Sequence, residues 1–474
     1  MSQYDEWGPA REDDLLLHKE ALDEPVDAIG PVKKQERQGS ASLLSSSFNM
    51  ANSAIGAGVL AFPYAFYKAG VGAGVAVAIV QLIVCGFTMQ WLVKEADRKI
   101  PGKVGRPGSY EMLIDRRFGK WMGFLAVLAL LSNVLGAMIG FLIIIGDMGE
   151  PIALLWFGET WYSSRTFVTF VLIIVLVAPF SALPRIDYLK FTSVLSIFSI
   201  SFVVLMVTVT SIMALVNGTT VGGDIVVVDF SWGFFTAVPI ITFALTCHMQ
   251  AVPVYRELQN PTVSRFSMVV IITYSICAVL YIGNGTFGYL QFRDTVSDNI
   301  LNNYSNDDVV ANIARVCVVI TAMFSYPLMN FVYRTALDYV LFDFGYTHVM
   351  MALGKHIPGP PAEEVPSDSD DLEASLNFNQ GLPPISQPTY ARLLVETYIT
   401  LALCWIVSIL VPSIGVIFGL IGASAGAVIT FIFPAALEFT GAETKLTKYF
   451  AGFVFVFGVF IGIIGTAVTI IDII

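Results

Sequence analysis

A chain of 474 residues that is 55% hydrophobic and only 13% charged is excluded from the soluble globular class and reads as a polytopic membrane protein. Its formal charge of −11 sits in two polar stretches: residues 1–40 hold ten acids and five bases, and residues 356–390 hold six acids and no base. The remainder balances at 21 of each sign, so the acidity describes solvated segments and not a substrate.

Residues 1–40 lack the basic start and apolar core of a secretory signal, so the first spanning helix is expected to serve for insertion. This tail cannot bury enough apolar surface to fold alone and is expected to be a disordered cytoplasmic segment. Within it Glu12-Asp13-Asp14-Leu15-Leu16-Leu17 fits an acidic dileucine pattern, in which Glu12 precedes the Leu16-Leu17 pair by four residues. A sorting adaptor with a basic patch and an apolar pocket would read it as an endosomal, lysosomal or vacuolar address; such strings are also common in disordered tails.

Eleven apolar segments follow, at 43–67, 71–93, 121–147, 166–183, 191–216, 232–253, 266–290, 310–334, 392–411, 413–437 and 449–471. The first eight fall in a block at 41–342 and the last three in 391–474, separated by an acidic, largely disordered cytoplasmic loop at 343–390. With a cytoplasmic N-terminus, 22 of the 26 basic residues lie on the cytoplasmic side; the exceptions are Lys68, Arg165, Arg293 and Arg315. Asn217-Gly-Thr and Asn303-Tyr-Ser are glycosylation sequons on the far side, whereas Asn284-Gly-Thr lies inside a predicted span. Small residues four apart, such as Gly136/Gly140, Gly415/Gly419, Gly422/Gly426 and Gly458/Gly462, predict close helix packing. All five cysteines fall in apolar runs at no metal-ligand spacing and read as core residues.

Two segments do not read as plain helices. In the first, Asn49-Met-Ala-Asn-Ser-Ala-Ile-Gly-Ala-Gly-Val-Leu-Ala-Phe-Pro63 combines asparagines, a serine, a Gly-Ala-Gly triplet and a proline, each of which favours leaving the helical ladder. In the sixth, Pro239 and Pro253 bracket a polar Thr-Phe-Ala-Leu-Thr-Cys-His run ending at His248. Freed backbone in a bilayer is tolerated only beside protein or a wet cavity, so a break at mid-membrane points to a binding site with open carbonyls and amides. The spacing of five helices between the two segments predicts two inverted five-helix halves plus one appended helix. For the glycines, close helix approach is the plainer alternative. For His248, proton coupling stands against a hydrogen-bonded structural role.

The residues Phe48 to Tyr64, followed by Ala69-Gly70, resemble the first helix of the amino acid/auxin permease superfamily. Cys247-His248-Met-Gln-Ala-Val-Pro253-Val-Tyr255-Arg-Glu257-Leu, Asn260-Pro261 and Phe287-Gly288-Tyr289-Leu are similar to its sodium-coupled neutral amino acid transporter branch and to related vacuolar transporters. Arg315 through Tyr326-Pro327 to Arg334 resembles that branch's eighth helix.

The resemblance implies an all-α membrane protein of 11 transmembrane helices with a LeuT-type 5+5 inverted repeat plus one helix. It also implies a secondary transporter of amino acids, neutral ones above all, coupled to sodium or protons and without an organic cofactor. It places substrate at Ile55, Gly56, Ala57, Gly58 and Val59 on one side and Phe243, Ala244, Leu245 and Thr246 on the other. A sodium ion would be met by Asn52 with Thr321 or Ser325; His248 is the residue of interest for a proton. Two departures from the sodium-coupled branch, no cysteine in a far-side loop and an eighth helix poor in hydroxyls, keep open a proton-coupled transporter of an internal membrane, the location slightly favoured over the plasma membrane. The alternative of another class is an amino acid-sensing receptor that signals through its tail. An enzyme is not expected, because His18, His248, His348 and His356 form no catalytic or metal-binding pattern, and no nucleic acid partner is expected.

Overall fold

The computed structural model describes residues 39–98, 107–183, 192–344 and 389–471. The Glu12, Leu16, Leu17 pattern and most of the 343–390 loop lie outside them. The described chain is helical, with a single isolated bridge at Ala41 and Leu258.

The helices in chain order are α1 (Leu43–Ala54), α2 (Phe62–Ala69), α3 (Val71–Asp97), α4 (Tyr110–Phe118), α5 (Lys120–Phe157), α6 (Arg165–Ser181) and α7 (Thr192–Asn217). Then come α8 (Trp232–Leu245), α9 (Ala251–Glu257), α10 (Val263–Phe292), α11 (Val309–Asp338), α12 (Tyr390–Leu410), α13 (Ile414–Gly441) and α14 (Lys445–Ile471). Among the described residues nine helical stretches are long and apolar enough to cross a membrane. The other two apolar segments of the sequence are the interrupted α1–α2 and the shorter α6.

Starts follow capping chemistry. Ser42, Thr262, Asp308, Ser413 and Thr444 each accept a hydrogen bond from the backbone N–H three residues on. Only Gly70 separates α2 from α3, at φ 82°, and a Cβ there would stand 2.8 Å from the Val227 carbonyl oxygen. That carbonyl and its neighbour are in use: Val226 and Val227 accept from the N–H groups of Val71 and Gly72, which open α3.

One sequence expectation needs correction. Segment three continues to Phe157 instead of ending at 147, because its terminal carboxylates are satisfied from α6: Asp147 pairs with Arg165 at 2.9 Å, and Glu150 accepts the Arg165 N–H at 3.1 Å. The polar connection after segment two contains a nine-residue helix, α4, whose Tyr110 hydroxyl donates to Ile429 of α13.

The glycine pairs do pack helices. A Cβ on Gly140 would meet Phe418, one on Gly136 would meet Ile421, one on Gly458 would meet Phe431, and Gly422 lies against the Pro239 carbonyl. Thus α13 touches α5, α8 and α14 through residues without side chains in the way.

Arginines near span ends hold open carbonyls. Arg315 donates to Leu301 and Tyr304 at 3.1 and 2.6 Å, and Arg334 to Ser181 and Leu183 at 3.1 and 2.9 Å.

Outside the spans, burial raises the Glu111 carboxyl to about 7, with a hydrogen bond from Ser109 pulling the other way. The folded state then binds the proton more tightly than the unfolded one, so this stabilisation is full below pH 4.5 and lost as pH rises through about 7. The melting temperature of wild type is expected to fall relative to Glu111→Gln across that window; parallel pH profiles would contradict it.

Candidate functional site

The first break is built from residues that cannot sustain the ladder. Helix α1 ends at Ala54; Ile55 is extended at φ −75° and ψ 90°, Gly56 sits at φ −130° and ψ −154°, and Ala57–Ala61 resumes as a 3-10 turn before Pro63 opens α2. The second break has the same form. Helix α8 ends at Leu245, Thr246 is extended at φ −78° and ψ 95°, and His248–Gln250 forms a 3-10 turn leading into α9. Both breaks were legible, but Pro239 does not make the second one. It lies inside α8, which continues for six more residues, and the helix yields at Thr246 and Cys247 instead.

The two breaks lie side by side. A Cβ on Gly58 would stand 2.6 Å from Ala244 Cβ, so only glycine permits this approach. Ile55, Val59 and Leu245 are fully enclosed, and Ala244 and Thr246 nearly so, whereas Gly56 and Ala57 are half-buried. Phe243 stacks on Phe418 of α13 at 4.4 Å, and the Thr246 hydroxyl meets that of Thr430 at 3.0 Å. Helix α13 therefore forms a third wall.

What holds the open ends is a set of side chains the sequence reading missed. The Tyr281 hydroxyl of α10 lies 2.6 Å from the Ala54 carbonyl and 3.1 Å from the Ala244 carbonyl, bridging the last turns of α1 and α8. Its ring is fixed by stacking on Phe62 at 4.7 Å. Asn284, one turn on, donates to the Val59 carbonyl at 2.7 Å, and its own Oδ1 is buried without a partner. Gln81 of α3 donates to Val238 at 3.1 Å and accepts from Thr242. A signal existed for α10: Tyr274, Cys277, Tyr281, Asn284 and Gly288 recur at spacings of three and four, a polar stripe within an apolar span.

The candidate ion residues are placed but not joined. Asn52 Oδ1 and Thr321 Oγ1 are both buried and without hydrogen-bond partners, and Ser325 is half-buried one turn beyond Thr321. Among the described residues no hydrogen bond links Asn52 to either hydroxyl. His248 is wholly buried, with Nε2 2.8 Å from the Thr88 hydroxyl of α3. That hydroxyl also lies 3.1 Å from the Val84 and Cys85 carbonyls, and the Nδ1 of His248 is buried without a hydrogen-bond partner.

On the side where α1 begins, the chain entering α1 is tied to the chain leaving α9. The Ala41 N–H donates to Glu257 and the Gln259 N–H to Ala41, both at 2.9 Å. The half-helices α1 and α9 are thus linked through backbone as well as packing.

Comparison with known proteins gives a consistent picture. The family model described as transmembrane amino acid transporter protein matches residues 39–471. Sodium-coupled neutral amino acid transporter 7 of Danio rerio is 30% identical, covering 86% of this chain and 81% of the relative. The transporter of the same name from Rattus norvegicus is 28% identical over 91% and 87%. Amino acid transporter AVT6B of Arabidopsis thaliana is 27% identical over 86% and 84%. The solved inward facing conformation of Mhp1 aligns over 92% of each chain with a TM-score of 0.48 and 10% identity, too distant a likeness to decide the fold.

Removing the Tyr281 hydroxyl leaves a buried helix-terminal carbonyl without its donor, at a cost of about 1–3 kcal/mol. Tyr281→Phe is expected to lower the melting temperature of the purified protein without changing its elution volume. An unchanged melt would show that the hydroxyl does not hold the breaks.

Proposed function

The chain belongs to the transmembrane amino acid transporter family, and from that premise we propose that it is a secondary transporter carrying a neutral amino acid between its two helix breaks, driven by a cation gradient. The observation that carries this reading is the juxtaposition of Gly58 and Ala244, which brings the open ends of α1, α2, α8 and α9 to one place. A zwitterion needs opposite partial charges close together. The carbonyl-rich ends of α1 and α8 suit its ammonium, and the amides of Gly56, Ala57 and Gly58 suit its carboxylate.

The unpartnered oxygens of Asn52 and Thr321 are hard donors of the kind an alkali cation takes, with Ser325 in reach along the same face. His248, hydrogen-bonded to Thr88, is the group to examine if protons do the coupling. The five-span interval between the breaks supports a LeuT-type 5+5 inverted repeat with α14 appended. Closure of one gate on loaded substrate and cation would alternate with the other around a fixed midplane site. Residence in an internal membrane agrees with the cysteine-free far-side loops.

Uptake of a radiolabelled neutral amino acid mixture into proteoliposomes, with sodium and proton gradients imposed separately, tests this. Sodium-driven uptake that falls at least tenfold in Asn52→Ala is the expected result. Proton-driven uptake indifferent to sodium and to Asn52→Ala would overturn the ion assignment, and no uptake under either gradient would overturn transport.

A further inference from the structure

A cavity of about 220 Å³ opens on the outer surface of the helix bundle between α3, α8 and α14. Its walls are Val80 on α3, Phe235 and Val238 on α8, and Phe460 and Ile464 on α14. Its floor is Pro239, where α8 and α14 approach most closely: a Cβ on Gly465 would stand 2.6 Å from Pro239 Cγ. The wall contributed by α14 is widened by a π-helical turn at Ile461–Gly465. Phe235 and Phe460 meet edge to face at 6.1 Å, and Val80 and Phe460 are about half exposed, at 52% and 48%.

Two facts decide what belongs in it. The first is depth. All three helices cross the membrane, and Val80 lies nine residues into α3, which at about 1.5 Å per residue sets the opening well inside a hydrocarbon layer of about 30 Å. The medium at the mouth is lipid tails.

The second is chemistry. The only polar side chain in the lining is Gln81, and its amide is already committed inward, to the Val238 carbonyl and the Thr242 hydroxyl. Water would find no partner there, and apolar cavities of this size stay dry and take apolar guests. A sterol would need a partner for its hydroxyl, which the cavity lacks, and a zwitterionic amino acid is excluded for the same reason.

We infer that this crevice holds one acyl chain of a membrane phospholipid, drawn from the leaflet in which α3 and α8 begin. The chain fills the space that side chains leave between α14 and the half of α8 preceding the break. Its contacts extend the Gly465–Pro239 approach, so the grip of the last helix on the interrupted sixth span is completed by lipid. This site is distinct from the proposed substrate position, which lies on the opposite face of α8 around Ala244.

The full chain reconstituted in phosphatidylcholine nanodiscs, with a diazirine on the acyl chain of the lipid, tests the inference. After photolysis, adducts are expected on the α3, α8 and α14 wall residues, at several times the level on the lipid-facing residues Leu205 and Val209 of α7. Ala76→Trp and Ile464→Trp, which fill the mouth from two different helices, are each expected to cut the crevice adducts at least fivefold while leaving those on α7 unchanged. Adducts at the α7 level in wild type would overturn the site, as would labelling indifferent to both fillings. Labelling by a diazirine sterol in place of the acyl probe, or crosslinks between copies through α14, would overturn the choice of occupant.

Discussion

A carbonyl or amide opened inside a bilayer has no water to turn to, and the interior of this protein is arranged around that constraint. Two spans are interrupted at mid-membrane, so their terminal groups must be answered from neighbouring helices. Tyr281 and Asn284 do this from α10. The same rule governs the periphery, where Arg315 and Arg334 are spent on backbone carbonyls and not on carboxylates. Charged side chains are tolerated there because each replaces solvent for a helix end.

Among the described residues, the buried polar atoms without a hydrogen-bond partner include the oxygens of Asn52, Asn284 and Thr321 and the Nδ1 of His248. Close approach at Gly58 brings the two breaks together, while α13 closes the third side through Phe418 and Thr430. The Ala41 to Glu257 and Gln259 links join the entry of α1 to the exit of α9.

The breaks were legible because their cause is local. Gly56 and Gly58 beside Asn52, and a polar run ending at His248, disfavour a regular ladder wherever they stand. Pro239 does not break α8, because proline removes only its own amide and the ladder continues past it to Leu245. The end of segment three misled because Asp147 and Glu150 look like solvent residues until Arg165 is brought against them. Tyr281 and Asn284 were missed because their meaning depends on partners more than 200 residues away, although their three-and-four spacing was visible. Asn284, set aside as a sequon within a span, became a residue that holds the first break.

The most direct test of the proposed site is equilibrium binding of a radiolabelled neutral amino acid to the purified protein, comparing wild type with Gly58→Val. A side chain at this position must push the first break away from Ala244, since even a Cβ would stand 2.6 Å from Ala244 Cβ. Saturable binding by wild type that weakens at least tenfold in a monodisperse Gly58→Val is the expected result. Binding of equal strength in the two proteins would place the substrate elsewhere and remove the basis for a site between the breaks.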